Sequence, residues 1–236
     1  VTTNERAGAG SPIPAPQDPA AFDKAATIDY RHELVRKGIH LCSLSIPVIY
    51  SFIDRTLALQ ILVPLMFAFV SVDLARFFLP PVSRWFYRWF GWLLRRHEQD
   101  DKNRRLNGAS NVLIAATLSV LLFPKVIAIN AFAILIISDT TSALFGRRFG
   151  KHRFLGKSLE GSAAFLVTAV AVVLVSPKID YVFGEYAIGV VAALVGTVVE
   201  AASIKIDDNL SIPLSVGLTL WGLYAWLLPA IDLARM

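Results

Sequence analysis

From Leu34 to Leu228 the chain alternates long apolar runs with short charged ones, and this alternation restricts the fold more than any single motif does. A run of about 20 apolar residues coils into a helix of about 30 Å, the thickness of a bilayer core. Within hydrocarbon, every backbone N–H and C=O must find its partner inside the segment or across a closed barrel, so runs of this length must be helices. Seven are marked out: Leu34–Ile53, Leu57–Leu79, Ala109–Phe123, Val126–Phe145, Leu159–Ser176, Tyr186–Ala202 and Ile212–Leu228. The expected fold is therefore all-α, a multi-pass membrane helix bundle of about seven transmembrane helices plus one interfacial amphipathic helix. A hydrophobic content of 55% over 236 residues and a mean hydropathy of +0.56 set the chain apart from soluble domains.

The interfacial helix is read in the first half of Val82–Gly108. At helical period Arg84, Arg88 and Arg95 fall on one face, and Trp85, Phe86, Trp89, Leu93 and Leu94 on the other. The third run is short for a bilayer and by length could be re-entrant, but charge favours a crossing. With seven crossings, most Lys and Arg share one side, and only Arg55, Lys125, Lys178 and Arg235 remain on the other. That asymmetry places the N-terminus and the basic loops in the cytoplasm and the C-terminus opposite. Residues 1–29, with Pro12, Pro14, Pro16 and Pro19 among alanines, read as a disordered tail ahead of a single membrane domain, 30–236. The lone cysteine, Cys42, allows no internal disulfide. The net charge of +5 is concentrated beside apolar runs, which suits lipid headgroups or a phosphate substrate, and nucleic acid is not expected as a partner.

Chemistry concentrates in Ser138–Ser162, SDTTSALFGRRFGKHRFLGKSLEGS. Asp139 lies within an apolar run, where an ionisable group is costly enough to imply a function. The run leaves through Gly146 into Arg147, Arg148, Lys151, His152, Arg153 and Lys157, and re-enters at Ser158-Leu159-Glu160-Gly161. Cytoplasmic orientation alone would produce such cations, but small residues at a helix start also leave N–H groups able to hold an anion. Glu200, Asp207, Asp208 and Asn209 gather on the same side, and their hard oxygens suit Mg2+ or Ca2+; the alternative is a solvated turn capping the last helix through Asn209 or Ser211. His40 stands one turn inside Arg36 and is either a site residue or a packing histidine, whereas Arg36 and Lys37 at the run's edge are expected to reach for headgroups. Asp73 and Arg76, three apart, can pair across one turn, and Asn107-Gly108 precedes a span closely enough to touch a ligand. Gly156-Lys157-Ser158 mimics the end of a P-loop, but the glycine spacing and the helical context exclude one.

Four segments in order, RKGIHLCSLSIP, LNGASNVLIA, the 138–162 stretch and VEAASIKIDDNLSIPL, resemble the CTP-dependent lipid kinase family of dolichol kinase, phytol kinase and CTP-using diacylglycerol kinase. Phosphatidate cytidylyltransferase is similar through the spacing of Asp139, Gly146 and Gly150, but its acidic hallmark segment is missing. The resemblance implies a membrane kinase that moves a phosphoryl group from CTP to a lipid alcohol. It further implies that Asp139, Gly146, Gly150, Lys157, Ser158 and Gly161 form the nucleotide segment, completed by Glu200, Asp207, Asp208 and Asn209. On that basis Asp139 with Asp207 or Asp208 is expected to hold the metal, and Lys157, Arg147 and Arg148 to neutralise phosphate. The Ser158–Gly161 amides would cradle phosphate, and Glu200, Asp139 or His40 would take the acceptor's proton. A cation-coupled transporter is the competing reading, but no internal repeat supports it. The topology is tested with single cysteines placed near Ala21 and Ala230 and an impermeant thiol reagent applied from outside: only the second site is expected to react.

Overall fold

The structure, a computed structural model, describes residues 30–91, 106–202 and 206–235, the first three by backbone only. Its helices are α1 (Tyr30–Cys42), α2 (Ser45–Phe52), α3 (Arg55–Phe78), α4 (Pro80–Phe90), α5 (Gly108–Leu122), α6 (Lys125–Phe149), α7 (Leu159–Val175), α8 (Phe183–Ala202) and α9 (Asp208–Leu227). A two-stranded hairpin, β1 (Arg153–Phe154) and β2 (Lys157–Ser158), joins α6 to α7, and a 3-10 turn covers Leu233–Arg235.

Four helices, α3, α6, α8 and α9, are long and apolar enough to cross a membrane, while α5 and α7 are apolar but shorter. The first expected span is not continuous: it breaks at Ser43–Leu44 into helices of 13 and 8 residues. Pro47 supplies the reason, because it has no N–H for the Ser43 carbonyl and its ring crowds that group. Ser43 and Leu44 donate instead to the carbonyls of His40 and Leu41, three residues back. The fourth expected span is a turn longer than read, so Arg147 and Arg148 lie in the last turn of α6 rather than in a loop. The interfacial helix is present as α4 with Trp85 and Trp89 exposed and Phe86 buried, but Leu93, Leu94 and Arg95 fall outside the described residues.

Helix α6 is the axis of the bundle, packed by α1, α2, α5, α7 and α9. The long helix α3 lies outermost and touches chiefly α4 and α5. Small residues let these helices close. A Cβ on Gly189 would stand 2.5 Å from a Val173 methyl, and one on Gly217 only 2.4 Å from the Phe123 ring. Away from the site, Glu185 in the first turn of α8 accepts N–H groups of Ile179 at 2.9 Å and Asp180 at 3.0 Å, and the Tyr224 hydroxyl at 2.8 Å. One buried carboxylate thereby closes the α7–α8 connection against α9.

Gly217→Ala is expected to destabilise the protein by about 1–3 kcal/mol through overpacking against Phe123. Gly222→Ala on the same helix meets nothing within 4 Å and should leave stability unchanged or slightly raised. Thermal unfolding in detergent distinguishes the two.

Candidate active site

The site end of the bundle is built where α6 ends and α7 and α9 begin, with α1 alongside. Asp139 faces α1, and Lys37 there donates to its Oδ2 and, at 3.3 Å, to its carbonyl. Lys37 is 2% exposed, so the headgroup-anchor reading is wrong for it. A buried cation is too costly to leave unpaired, and Asp139 is what matches it. Arg36 is no free anchor either: it pairs with Glu33, which also lies 3.5 Å from the Arg147 guanidinium. His40 lies one turn above Arg36 and brings Nε2 to 3.6 Å from the same Asp139 oxygen. That nitrogen is buried and has no hydrogen-bond partner.

Lys157 is delivered by the hairpin. The turn at Leu155–Gly156 is tight enough to hold Leu155 at φ 51°, and the Gly156 N–H donates 2.8 Å to the Ala201 carbonyl at the end of α8. From there Lys157 Nζ spans Glu200 Oε1 at 2.8 Å and Asp208 Oδ2 at 2.9 Å. Burial alone would depress the Lys157 ammonium, but Asp208, Glu200 and Asp139 outweigh it and hold its pKa above the ordinary lysine value. Glu200 and Asp208 thus meet on one lysine, whose field also reaches Asp139, while Asp139 itself is paired with Lys37. Glu200 is buried and also accepts Ser142 Oγ at 2.7 Å and Ser162 Oγ at 3.3 Å.

Asp207 is the N-cap of α9, its Oδ1 accepting the Asn209 N–H at 3.0 Å and side-chain amide at 2.8 Å, so the capping role falls on it rather than on Asn209 or Ser211. Pro213 offers no N–H to the Asn209 carbonyl, which is left without its helical partner at the mouth of the site. Asn107 caps α5 through the Ser110 N–H, and a Cβ on Gly108 would stand 3.8 Å from Asn209 Nδ2, so this segment does border the site. Its position is fixed from behind: the Asn107 N–H donates 2.6 Å to Asp73, which pairs with Arg76 at 2.7 Å as its spacing predicts. The Arg76 guanidinium in turn lies over the Phe77 and Phe86 rings.

Gly146, Gly150 and Gly161 have a packing role in the described structure. A Cβ on Gly146 would lie 2.9 Å from Ser158 Oγ, one on Gly150 2.2 Å from the Gly146 carbonyl, and one on Gly161 3.1 Å from the Ser142 carbonyl. Ser158 caps α7 by accepting the Gly161 N–H at 3.2 Å, which occupies one of the amides assigned to phosphate. Glu160 turns back to His152, 2.8 Å from its Nδ1, and steadies the hairpin base. Arg148 and Lys151 are exposed.

Among the described residues no three His, Cys, Asp or Glu side chains form a ready cage for a metal. The three carboxylates expected to hold one each have an oxygen engaged: Asp139 Oδ2 by Lys37, Asp208 Oδ2 by Lys157, and Asp207 Oδ1 by the Asn209 N–H and side-chain amide.

The chain is 32% identical over 194 residues to the uncharacterized protein RP860 of Rickettsia prowazekii, covering 80% of this chain and 93% of that one. The chain belongs to the same family as RP860. It is 29% identical to the uncharacterized protein MJ1137 of Methanocaldococcus jannaschii over 78% of its own length and 90% of that protein's. It is also 29% identical to CTP-dependent diacylglycerol kinase 1 of Schizosaccharomyces pombe, over 146 residues that make up 59% of this chain and 65% of the kinase. No protein-family profile and no solved structure matches it.

Lys37→Met should cost about 3–5 kcal/mol of stability, because Asp139 is left charged and buried without its partner. Asp139→Asn alone strands Lys37 in the same way. The Lys37→Met, Asp139→Asn double variant removes both charges and should regain most of the loss, as read from unfolding temperature in detergent.

Proposed function

We propose that the chain is a membrane lipid kinase that transfers the γ-phosphoryl group of CTP to the hydroxyl of a lipid alcohol. The observation that carries the reading is the convergence of Lys37–Asp139 and Lys157–Glu200–Asp208 at one end of a helix bundle built for a membrane. Similarity to a CTP-dependent diacylglycerol kinase supports it and makes diacylglycerol the first acceptor to try, ahead of dolichol or another polyprenol and phytol.

Phosphoryl transfer asks the protein mainly for positioning and for charge near the equatorial oxygens. Lys157 supplies a mobile cation on a fixed hairpin, able to move from its carboxylates onto phosphate oxygens. Arg147 and Arg148, in the last turn of α6, add charge at the entrance. Mg2+, held by Asp139 with Asp207 or Asp208, would neutralise the triphosphate when bound. The acceptor hydroxyl oxygen bonds to the γ-phosphorus, the bond to the oxygen of the leaving nucleoside diphosphate breaks, and the hydroxyl proton passes to a base. Of the three candidates, His40 suits this step best. Both Glu200 oxygens accept hydrogen bonds and Asp139 is engaged by Lys37, whereas His40 Nε2 has no hydrogen-bond partner. The lipid's tail would remain between helices while its alcohol meets the site at the cytoplasmic headgroup plane, with the N-terminus on that side.

Purified protein given radiolabelled CTP or ATP and the panel of lipid alcohols should form a lipid phosphate and CDP, with CTP preferred. Release of pyrophosphate would instead mark a cytidylyltransferase, and no product with any alcohol would remove the kinase reading. Asp208→Asn should lower activity on the order of 10²-fold or more, and adding Lys157→Met should cost little beyond the worse single change, as residues acting as a unit do.

A further inference from the structure

We propose that the opposite end of the bundle carries a second binding site, for the headgroup of a zwitterionic phospholipid. Where the ends of α2, α5 and α9 meet the starts of α3 and α6, a cavity of about 740 Å3 opens beside the 3-10 turn. Lys125, on its wall, is fourteen residues from Asp139 along α6, about 21 Å at the helical rise, so this cavity is separate from the site at the other end.

Three features point to a ligand. Tyr50 is 3% exposed, lines the cavity, and its hydroxyl has no hydrogen-bond partner. A buried phenol normally finds one, so a group from outside the chain is implied. Two cations, Arg55 and Lys125, line the same cavity, and no ion pair among the described residues includes either. Arg55 donates to the Leu121 carbonyl, and Lys125 sits 5.7 Å from the centre of the Tyr50 ring. Two carboxylates, Asp54 and Asp232, complete the polar lining. Each has one oxygen fixed by a backbone N–H, of Leu57 and Ala234 respectively.

Two cations balanced by two acids match a ligand that carries both signs. A phosphate set against Lys125, Arg55 and the Tyr50 hydroxyl, with an ammonium group near Asp54 and Asp232, satisfies every one of these groups. Trp221, Phe52 and Leu122 supply the apolar wall along which the first carbons of an acyl chain would lie. The surrounding helices α3, α6 and α9 are of membrane-crossing length, so this end lies at the depth where headgroups are found.

The test is native mass spectrometry of the full chain in detergent with four probes: dihexanoyl phosphatidylethanolamine, dihexanoyl phosphatidic acid, dihexanoylglycerol and inorganic phosphate. The zwitterionic lipid is expected to bind most tightly. Tyr50→Phe, which removes only the hydroxyl, should weaken it about fivefold, and Lys125→Gln about tenfold or more. Lys157→Met, at the other end, should leave this binding unchanged, which separates the second site from any lipid held by the first. Equal retention of the phospholipid by Tyr50→Phe and Lys125→Gln would overturn the proposal, as would dihexanoylglycerol binding that these two variants weaken as much as they weaken the phospholipid's. Phosphatidic acid or inorganic phosphate bound more tightly than the zwitterionic lipid, and lost in the same two variants, would also overturn it, by showing an anion site. Unfolding temperature confirms that the conservative Tyr50→Phe protein is folded.

Discussion

The whole arrangement turns on the cost of taking a charge out of water. An ion moved into a protein interior loses several kcal/mol even after relaxation, and it persists only where a partner and further hydrogen bonds repay that loss. Among the described residues the buried ion pairs are met in that way, by a group from elsewhere in the fold or from the next turn, and Lys178 is met by the Val173 and Ser176 carbonyls. Asp139 on α6 is met by Lys37 on α1, Glu200 on α8 by Lys157 from the hairpin, and Asp73 by Arg76 within α3. Glu185 is met by backbone N–H groups and a tyrosine. These contacts specify register: shifting α1 by one residue against α6 would leave two charges stranded, so polar matching fixes what apolar packing alone would leave degenerate.

Close approach is the second requirement, since such contacts are short. Gly146, Gly150 and Gly161 bring the end of α6, the hairpin and the start of α7 within contact distance, and Ser158 sits at their centre. The glycine pattern that resembles a nucleotide motif is therefore also the packing device that aims Lys157. The two roles are compatible, because a hairpin held this tightly presents its lysine at one place.

What could be read in advance follows from which interactions are local. Asp73 and Arg76 are three apart on one helix, so their pairing was visible in sequence, whereas Asn107 was read as a residue near a ligand and its capping of α5 came only with the structure. Asp139 was visible because an acid in an apolar run has no innocent explanation. Lys37 was missed, since a cation at the edge of a run normally turns to the headgroups and its partner lies 102 residues away. The signal was the unmatched acid itself: Asp139 has no cation within one turn of it on its own helix and must draw one from another. The break of the first span followed from Pro47 and could have been foreseen. The hairpin could not, because its strands are two residues long and are held by α8 through the Gly156 amide rather than by their own propensity.

The position of the chemistry in the bundle has a physical reason as well. In its most apolar stretch α6 is 78% buried within the protein, whereas α3 is 17% buried, although both are long enough to cross a membrane. On the outer helix α3 the one buried acid, Asp73, faces inward, where it pairs with Arg76 one turn on and accepts the Asn107 N–H. A helix surrounded by other helices can take partners from several of them. Asp139 on α6 is reached by α1 and, through its field, by the hairpin lysine that also binds α8 and α9. Beside the central helix, α1, the hairpin, α8 and α9 bring their charges together. That helix is also the element that joins this cluster to the cavity at the far end, because Lys125 begins the same helix whose last turns hold Asp139, Arg147 and Arg148.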